Sequence, residues 1–398
     1  GARTDREARR AITTFLAAFQ DGHVGVVSEP PAAVQWVMEA WKGHRHGADR
    51  RPDGSWTGEQ ACASLGYEAR EGEYSVPLAK EAGYRDVGAL APMRAGVIAR
   101  GGDTLGVVRF RLFSQRASLP ACITAWERVV RDSLRGRPCD DGCEERLYQA
   151  SAAVMTDSLR AWLGALRRAG ARTVLVDIAG NGGGTEWVEE AAQLFAAGPL
   201  EPPVVTGVVH AHTAQRLEDR VADLDRLLRQ VEPDHPGRAA AVEQRNLLDS
   251  LAGLARGWCD RRGIWRDTSV AQRCPAVLPP ALAAAAEANR PDPAPPAWTG
   301  PVVILADHRT ASASEEFVTL LHDNGKARLI GERTLGAGCG YTNGGIPLTL
   351  ANSGIKVHLP DCARIRRNGR NEVFGIEPDE QVPLEAKAVI AAALEQSS

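Results

Sequence analysis

Two stretches of this chain follow one plan. In TVLVDIAGNGGGTEWVEEAAQLF, from Thr173 to Phe195, an apolar run ends in a glycine-dense turn and passes into a helical pattern. In VVILADHRTASASEEF, from Val302 to Phe317, an apolar run ends in small residues and opens an amphipathic helix. Unbroken apolar runs suit strands covered on both faces, the setting of a parallel sheet between helices. The pair therefore predicts an α/β core. In such sheets function collects at the carboxyl ends of the strands, and both turns occupy such ends. If the strands are neighbours, the two loops face each other.

The rest of the chain is placed around that core. Residues 5–20 carry helical periodicity and end at DGHVGVV, a turn with a short strand; residues 30–43 read as helix and 44–60 as a polar loop. Residues 61–102 suit a small β-rich region, and LGVVRFRLF, 105–113, is the first clear strand. A long amphipathic helix is expected over 147–170, stopped by a glycine. Residues 213–257 are polar and helical, and a Pro/Ala-rich stretch runs to 299. Strand ARLIGE, a hairpin in IPLTLANSGIKVHLP and a final helix over 383–395 complete the chain. The organisation expected is an N-terminal helical and β-rich region (1–102), a first part of the core (103–212), a mainly helical, disulfide-containing insertion or cap (213–299) and a second part of the core (300–398).

Composition narrows the partners. The formal net charge over 398 residues is -3 and no long basic run appears, which argues against nucleic acid. No apolar window is long enough to span a bilayer. Eight cysteines, at 62, 122, 139, 143, 259, 274, 339 and 362, suggest disulfides and an oxidising compartment, periplasmic or extracellular. Cys139 and Cys143 bracket CDDGC, Cys259 and Cys274 bracket a polar loop, and Cys339 and Cys362 can tie two adjacent loops. Connectivity stays open. No histidine stands near these pairs in zinc-like spacing. The opening GARTDREAR carries no signal peptide and reads as a processed or trimmed start, which is weak evidence against export.

The serine segment has two readings. Thr310, Ser312 or Ser314 can cap the helix that follows by accepting a backbone N–H. Alternatively, one hydroxyl is held above the strand end with amide donors beside it. DIAGNGGG, 177–184, matches neither common phosphate-binding glycine pattern, and no lysine follows it. It reads either as a tight strand–helix turn or as a turn whose N–H groups stabilise the negative charge that grows on a carbonyl oxygen in acyl transfer.

DIAGNGGG followed at a distance by RTASASEEFVTLLHDNGKARLIGERTLGAG resembles the core of the S41 serine peptidases, the tail-specific or C-terminal-processing protease and tricorn-core superfamily. G-E-x-T-x-G at 331–336 and G-I-x-P-D at 375–379 extend the likeness over roughly 170–382. The resemblance implies a ClpP/crotonase-like α/β core. It also implies Ser312 as nucleophile, Ser314 at the helix start, and an oxyanion hole from the amides of Ala313 and Gly183. The processing-protease branch takes its base from a lysine in G-x-x-T-x-G-K-G, where this chain has Ala337. Lys326 and Lys356 do not match that position. The tricorn-like and retinoid-binding-protein-like branches instead use an N-terminal histidine and a C-terminal glutamate. FLAAFQDGHVGV is similar to that branch's histidine segment and implies His23 as base. NEVFGIEPD offers Glu372 as the orienting acid, with Glu377 in reserve. Gly22 stands where tricorn has a relaying serine, leaving Asp21 or a water to orient the ring.

The reaction so implied is hydrolysis of a peptide or protein through an acyl-enzyme, needing no metal or organic cofactor. A serine esterase or amidase on a small acyl compound uses the same machinery, although no G-x-S-x-G elbow is present. An inactive ligand-binding protein on the same fold is the third reading. Residues 25–102 have about the length of a PDZ module but show no carboxylate-binding loop of that kind.

Overall fold

The computed structural model describes residues 4–17, 24–26, 51–134, 136–233, 235, 237–256, 277–279, 295–340, 348–360 and 362–395. The chain forms two compact units, each assembled from three separate stretches. The larger comprises Val27–Glu201, Pro293–Gly336 and Gly375–Ser398; the smaller comprises Gly1–Val26, Pro202–Asp292 and Ala337–Phe374. The helix expected over 30–43 lies outside the described residues, as do Cys259 and Cys274.

The larger unit is built on a seven-stranded sheet. Its strands lie in the order Glu380–Gln381, Arg328–Gly331, Val302–Ala306, Thr173–Asp177, Asp103–Phe110, Met93–Arg100, Tyr84–Leu90. The first five run parallel, and the last two continue the sheet as antiparallel neighbours. Thr173–Asp177 and Val302–Ala306 are buried along their whole length and pair directly, Val176 opposite Ile304 and Asp177 opposite Leu305. Alternation divides their side chains between two faces. Val174, Val176, Ile304 and Ala306 pack with Met155, Leu159, Leu163, Trp187 and Phe317, whereas Leu175, Val303 and Leu305 pack with Val389, Ile390 and Ala393 of the C-terminal helix Ala386–Leu394. Helices therefore cover both sides of the sheet, and the unit is a three-layer α/β structure.

Residues 84–100 are not a separate β-rich region. They belong to this sheet, because the Gly101–Gly102 turn, with φ 60° and 92°, folds Met93–Arg100 back onto Asp103–Phe110 in continuous register. Positive φ at both turn residues is the conformation glycine supplies without steric cost. The boundary expected at 102/103 thus falls inside a hairpin.

The long helix runs Asp141–Arg168, starting earlier than 147 because Asp140 caps it, its Oδ1 accepting the Cys143 N–H at 2.8 Å. Leu147, Ser151, Met155, Leu159, Leu163 and Leu166 recur every three or four residues and form its buried face. Disulfides Cys62–Cys122 and Cys139–Cys143 lie in one apolar cluster with Trp126 and Leu147. Beneath the serine segment, Phe317 stacks on Phe113 with ring centroids 5.2 Å apart and meets Phe110 at 5.7 Å. Truncating a fully buried ring such as Phe317 costs about 3–5 kcal/mol.

In the smaller unit, Ala211–Gln230 and Arg238–Arg256 form a helical pair that packs Ala214 and Val221 against Leu248, Leu251 and Ala255. The single polar helical section expected over 213–257 is broken between them, at a segment that includes Pro233 and Pro236. Val204–Gly207 pairs antiparallel with Cys362–Ile365. The expected hairpin is present, Leu348–Thr349 pairing with Lys356–His358, and Gly25–Val26 adds a third strand. Cys339 and Cys362 are joined in this unit.

Candidate active site

Ser312 stands where the loop after Val302–Ala306 enters the helix Ala313–His322. Its backbone has φ 56° and ψ -122°, and among the described residues it is the only non-glycine with positive φ. Such a conformation costs on the order of 1–3 kcal/mol and persists only where its surroundings enforce it. Three sets of contacts do so.

The first is Glu315, a wholly buried carboxylate one helical turn on. Its Oε2 accepts the Ser312 N–H at 3.0 Å; its Oε1 accepts Thr334 Oγ1 at 2.5 Å and the Gly336 N–H at 2.7 Å. The second is Asp307, also buried, which accepts N–H groups from Gly180 at 2.7 Å and from Arg309 at 2.9 Å, with Arg309 Nε at 3.0 Å. Burial alone would raise this carboxyl, but those donors outweigh it and hold it below the ordinary carboxylate range. The third is the glycine turn itself. The Ala311 N–H donates to Asn181 O at 3.0 Å, and Thr310 Oγ1 donates to Ile178 O at 3.2 Å.

The two loops therefore face each other. Gly183, at φ 111°, lies so close to the serine that a Cβ there would sit 2.8 Å from Ser312 Cβ and 3.0 Å from Ala313 N. Only glycine allows this approach. The Ala313 N–H opens the helix, where backbone donors have no intrahelical acceptor. The Gly183 N–H is differently placed from the free donor the sequence suggests: it donates to Asn181 Oδ1 at 2.9 Å. Beneath the turn a buried ion pair, Arg109 Nη1 to Asp177 Oδ1 at 2.9 Å, fixes the strand end, with Arg109 also donating to Ala179 O at 2.8 Å. Burial pulls the Arg109 guanidinium below its ordinary value, against the opposing pull of Asp177.

His23 and Asp21 lie outside the described residues. Glu372, in the smaller unit, is wholly buried and accepts Arg364 Nη1 at 2.7 Å, so a guanidinium already faces this carboxylate. Glu377 is exposed, with Arg333 Nε 3.8 Å away. His308 is exposed and bonds Glu332 at 2.6 Å, and His322 lies beyond the far end of the serine helix's first turns, between Asp323 and Asp379. Ser314 Oγ is buried with no hydrogen-bond partner among the described residues. Asn181, Asp307 and Glu315 escaped the sequence reading. For Glu315 a signal existed, since S-x-x-E is capping-box spacing. Among the described residues no group of three or more His, Cys, Asp or Glu is arranged to hold a metal ion, and no helix is long and apolar enough to cross a membrane.

Over 43 residues the chain is 54% identical to carboxyl-terminal-processing peptidase 1, chloroplastic, of Arabidopsis thaliana, a match covering 11% of this chain and 9% of that protein. Over 90 residues it is 37% identical to the carboxyl-terminal-processing protease of Picosynechococcus, covering 23% of this chain and 21% of that one. The chain thus spans from about a tenth to about a fifth of the length of these curated relatives. A solved structure of mature CPAF complexed with lactacystin is similar at 16% identity and a TM-score of 0.44, covering 83% of this chain and 56% of that one. The Peptidase family S41 profile matches residues 146–382, more than half of the sequence, and the chain belongs to that family.

Proposed function

We propose that the chain is a serine peptidase that hydrolyses peptide or protein substrates through an acyl-enzyme on Ser312. The observation that carries this reading is the strained backbone of Ser312 at a strand-to-helix turn, pressed against Gly183 and followed by the amide of Ala313. Strain of this kind collects where chemistry needs a side chain presented in one direction.

Ser312 attacks the scissile carbonyl, and the Ala313 and Gly183 N–H groups receive the oxyanion. For Gly183 this means handing its N–H from Asn181 Oδ1 to the substrate oxygen. The base is assigned to His23 and the orienting acid to Glu372, with Glu377 or Asp21 in reserve. Glu372 then serves Arg364 as well as the ring.

The lysine-free branch of the family is favoured by the sequence and by the lysines that the structure describes. Ala337 replaces the lysine of the processing proteases. Lys80, Lys326 and Lys387, the lysines of the larger unit among the described residues, are all exposed. Lys326 follows the far end of the helix that begins at Ala313, about 15 Å away by helical rise. A lysine must be withdrawn from water to serve as a base. Three disulfides among the described residues support export to a periplasmic or extracellular setting.

The test is a fluorophosphonate probe combined with digestion of a peptide library. The parent should be labelled on Ser312 and should cleave peptides. Ser312→Ala should do neither, and His23→Ala should lose both labelling and cleavage while remaining folded. Undiminished hydrolysis by Ser312→Ala would end this reading, and full labelling of His23→Ala would end the assignment of the base.

A further inference from the structure

Asn181, the fifth residue of DIAGNGGG, is wholly buried and uses every polar group it has. Its N–H donates to Ile178 O at 3.0 Å, and its carbonyl accepts the Ala311 N–H at 3.0 Å. Its Nδ2 donates to Phe110 O at 3.0 Å, and its Oδ1 accepts the Gly183 N–H at 2.9 Å. The side chain thereby joins the end of strand Asp103–Phe110 to the glycine turn, and the main chain of the same residue reaches the residue before Ser312. The closure onto an N–H two residues ahead is the local turn that asparagine favours. Phe113 locks the same turn from the other side, its N–H donating to Gly183 O at 2.9 Å.

Resting on the reading of Ser312 as nucleophile, we propose that Asn181 is the positioning residue of the oxyanion turn. Its amide oxygen holds the Gly183 N–H in place before substrate arrives and yields it as charge develops on the substrate oxygen. The exchange is driven by acceptor strength. A neutral amide oxygen makes an ordinary hydrogen bond, whereas a developing oxyanion makes a charge-assisted one roughly twice as strong. When the tetrahedral species collapses, the N–H returns to Asn181. The turn therefore keeps its donor satisfied while the site is empty, which a buried N–H requires. The main-chain carbonyl of Asn181, which holds the Ala311 N–H, is kept in every variant, so loss of the side chain acts on the glycine turn itself, through Phe110 O and the Gly183 N–H.

The experiment compares Asn181→Ala, Asn181→Ser and Asn181→Asp on one peptide substrate, with active sites counted by phosphonate titration and folding followed by thermal melting. Asn181→Ala should lower kcat per titrated site by about 10–100-fold, somewhat less than removal of an oxyanion donor itself, with KM nearly unchanged. Asn181→Ser retains a hydroxyl able to accept an N–H two residues on and should recover part of that loss. Asn181→Asp is nearly the same size but places a carboxylate beside the oxyanion, so its kcat should fall to that of the alanine variant or below. A purely structural role would lower the melting temperature of all three while leaving kcat per titrated site near the parent's, and that result overturns the proposal. So does an aspartate variant as fast as the parent, a serine variant no faster than the alanine variant, or an alanine variant faster than the parent. If Asn181→Ala does not fold, the serine and aspartate variants decide, because each keeps an acceptor at Oγ or Oδ1. Failure of the serine reading shows separately, in the parent: Ser312 unlabelled, with Ser312→Ala still hydrolysing peptide, removes the oxyanion and this role with it.

Discussion

Ser312 and Glu315 hold each other across one helical turn, the buried carboxylate accepting the serine's own N–H at 3.0 Å. The same carboxylate gathers Thr334 and Gly336 from the following loop. A single acidic group thus fixes the serine backbone and the segment that ends at Gly336. Glu315→Gln keeps the shape but swaps one acceptor oxygen for an NH2 aimed at donors. It should cost about 1–3 kcal/mol of stability and slow the labelling of Ser312. Urea denaturation and the rate of fluorophosphonate inactivation measure the two effects.

The backbone of Ser312 supplies a sharper comparison. At φ 56° and ψ -122°, alanine keeps the steric strain and glycine relieves it. Ser312→Gly should therefore be at least as stable as Ser312→Ala, by up to about 1 kcal/mol after the greater freedom of glycine in the unfolded chain is subtracted. Both should be devoid of covalent labelling. Denaturation midpoints of the two inactive variants test the strain without reference to activity.

His322 couples stability to pH. Its hydrogen bond to Asp323 raises its pKa most, burial works against that, and Asp379 adds a second raising contact, with a net upward shift. A raised histidine contributes stability that is fully present below its ordinary value of about 6.5 and fades as pH climbs through the raised folded value. His322→Gln should therefore destabilise the protein most at pH 5–6, with the difference narrowing as pH is raised through neutrality and beyond. Burial raises Asp379, but His322 and the Leu329 N–H more than offset it, so its net shift is downward. Its own contribution is present above the ordinary carboxylate value and is lost as pH falls through the lowered one. Melting temperatures of parent and variant from about pH 2 to about pH 8 read both limbs.

The disulfides should differ in weight. Cys62–Cys122 closes a sequence separation of 60 and Cys139–Cys143 one of 4. Loop-closure entropy gives about 4 kcal/mol for the first and about 2 kcal/mol for the second. The double variant Cys62→Ala/Cys122→Ala should accordingly shift the urea midpoint about twice as far as Cys139→Ala/Cys143→Ala.

The strand–turn–helix units at Thr173–Gln193 and Val302–His322 could be read from the sequence, because unbroken apolar runs and small-residue turns are local signals. So could the meeting of Gly183 and Ser312, once both were placed at strand ends of one sheet. The strands Tyr84–Leu90 and Met93–Arg100 were misassigned to a separate region, since membership of a sheet is decided by pairing over distance and not by the strands' own residues. Asp307, Glu315 and Asn181 went unnoticed for a related reason. A carboxylate or amide near a helix start looks solvated in one dimension, and only packing reveals that it is buried and which donors it collects. The acceptor that the Gly183 N–H already has was hidden on the same ground, being a side chain two residues earlier.

The pairing of Val204–Gly207 with Cys362–Ile365 has a practical outcome for anyone dissecting this gene. A fragment cut at residues 202 and 292 would carry its helical pair intact but would bare one ribbon edge, with its hydrogen-bonding mate left more than a hundred residues downstream. Unmated edges of this kind recruit other chains. The helical pair is therefore not a portable cassette, and a soluble excised version needs 337–374 grafted back or that edge studded with charge.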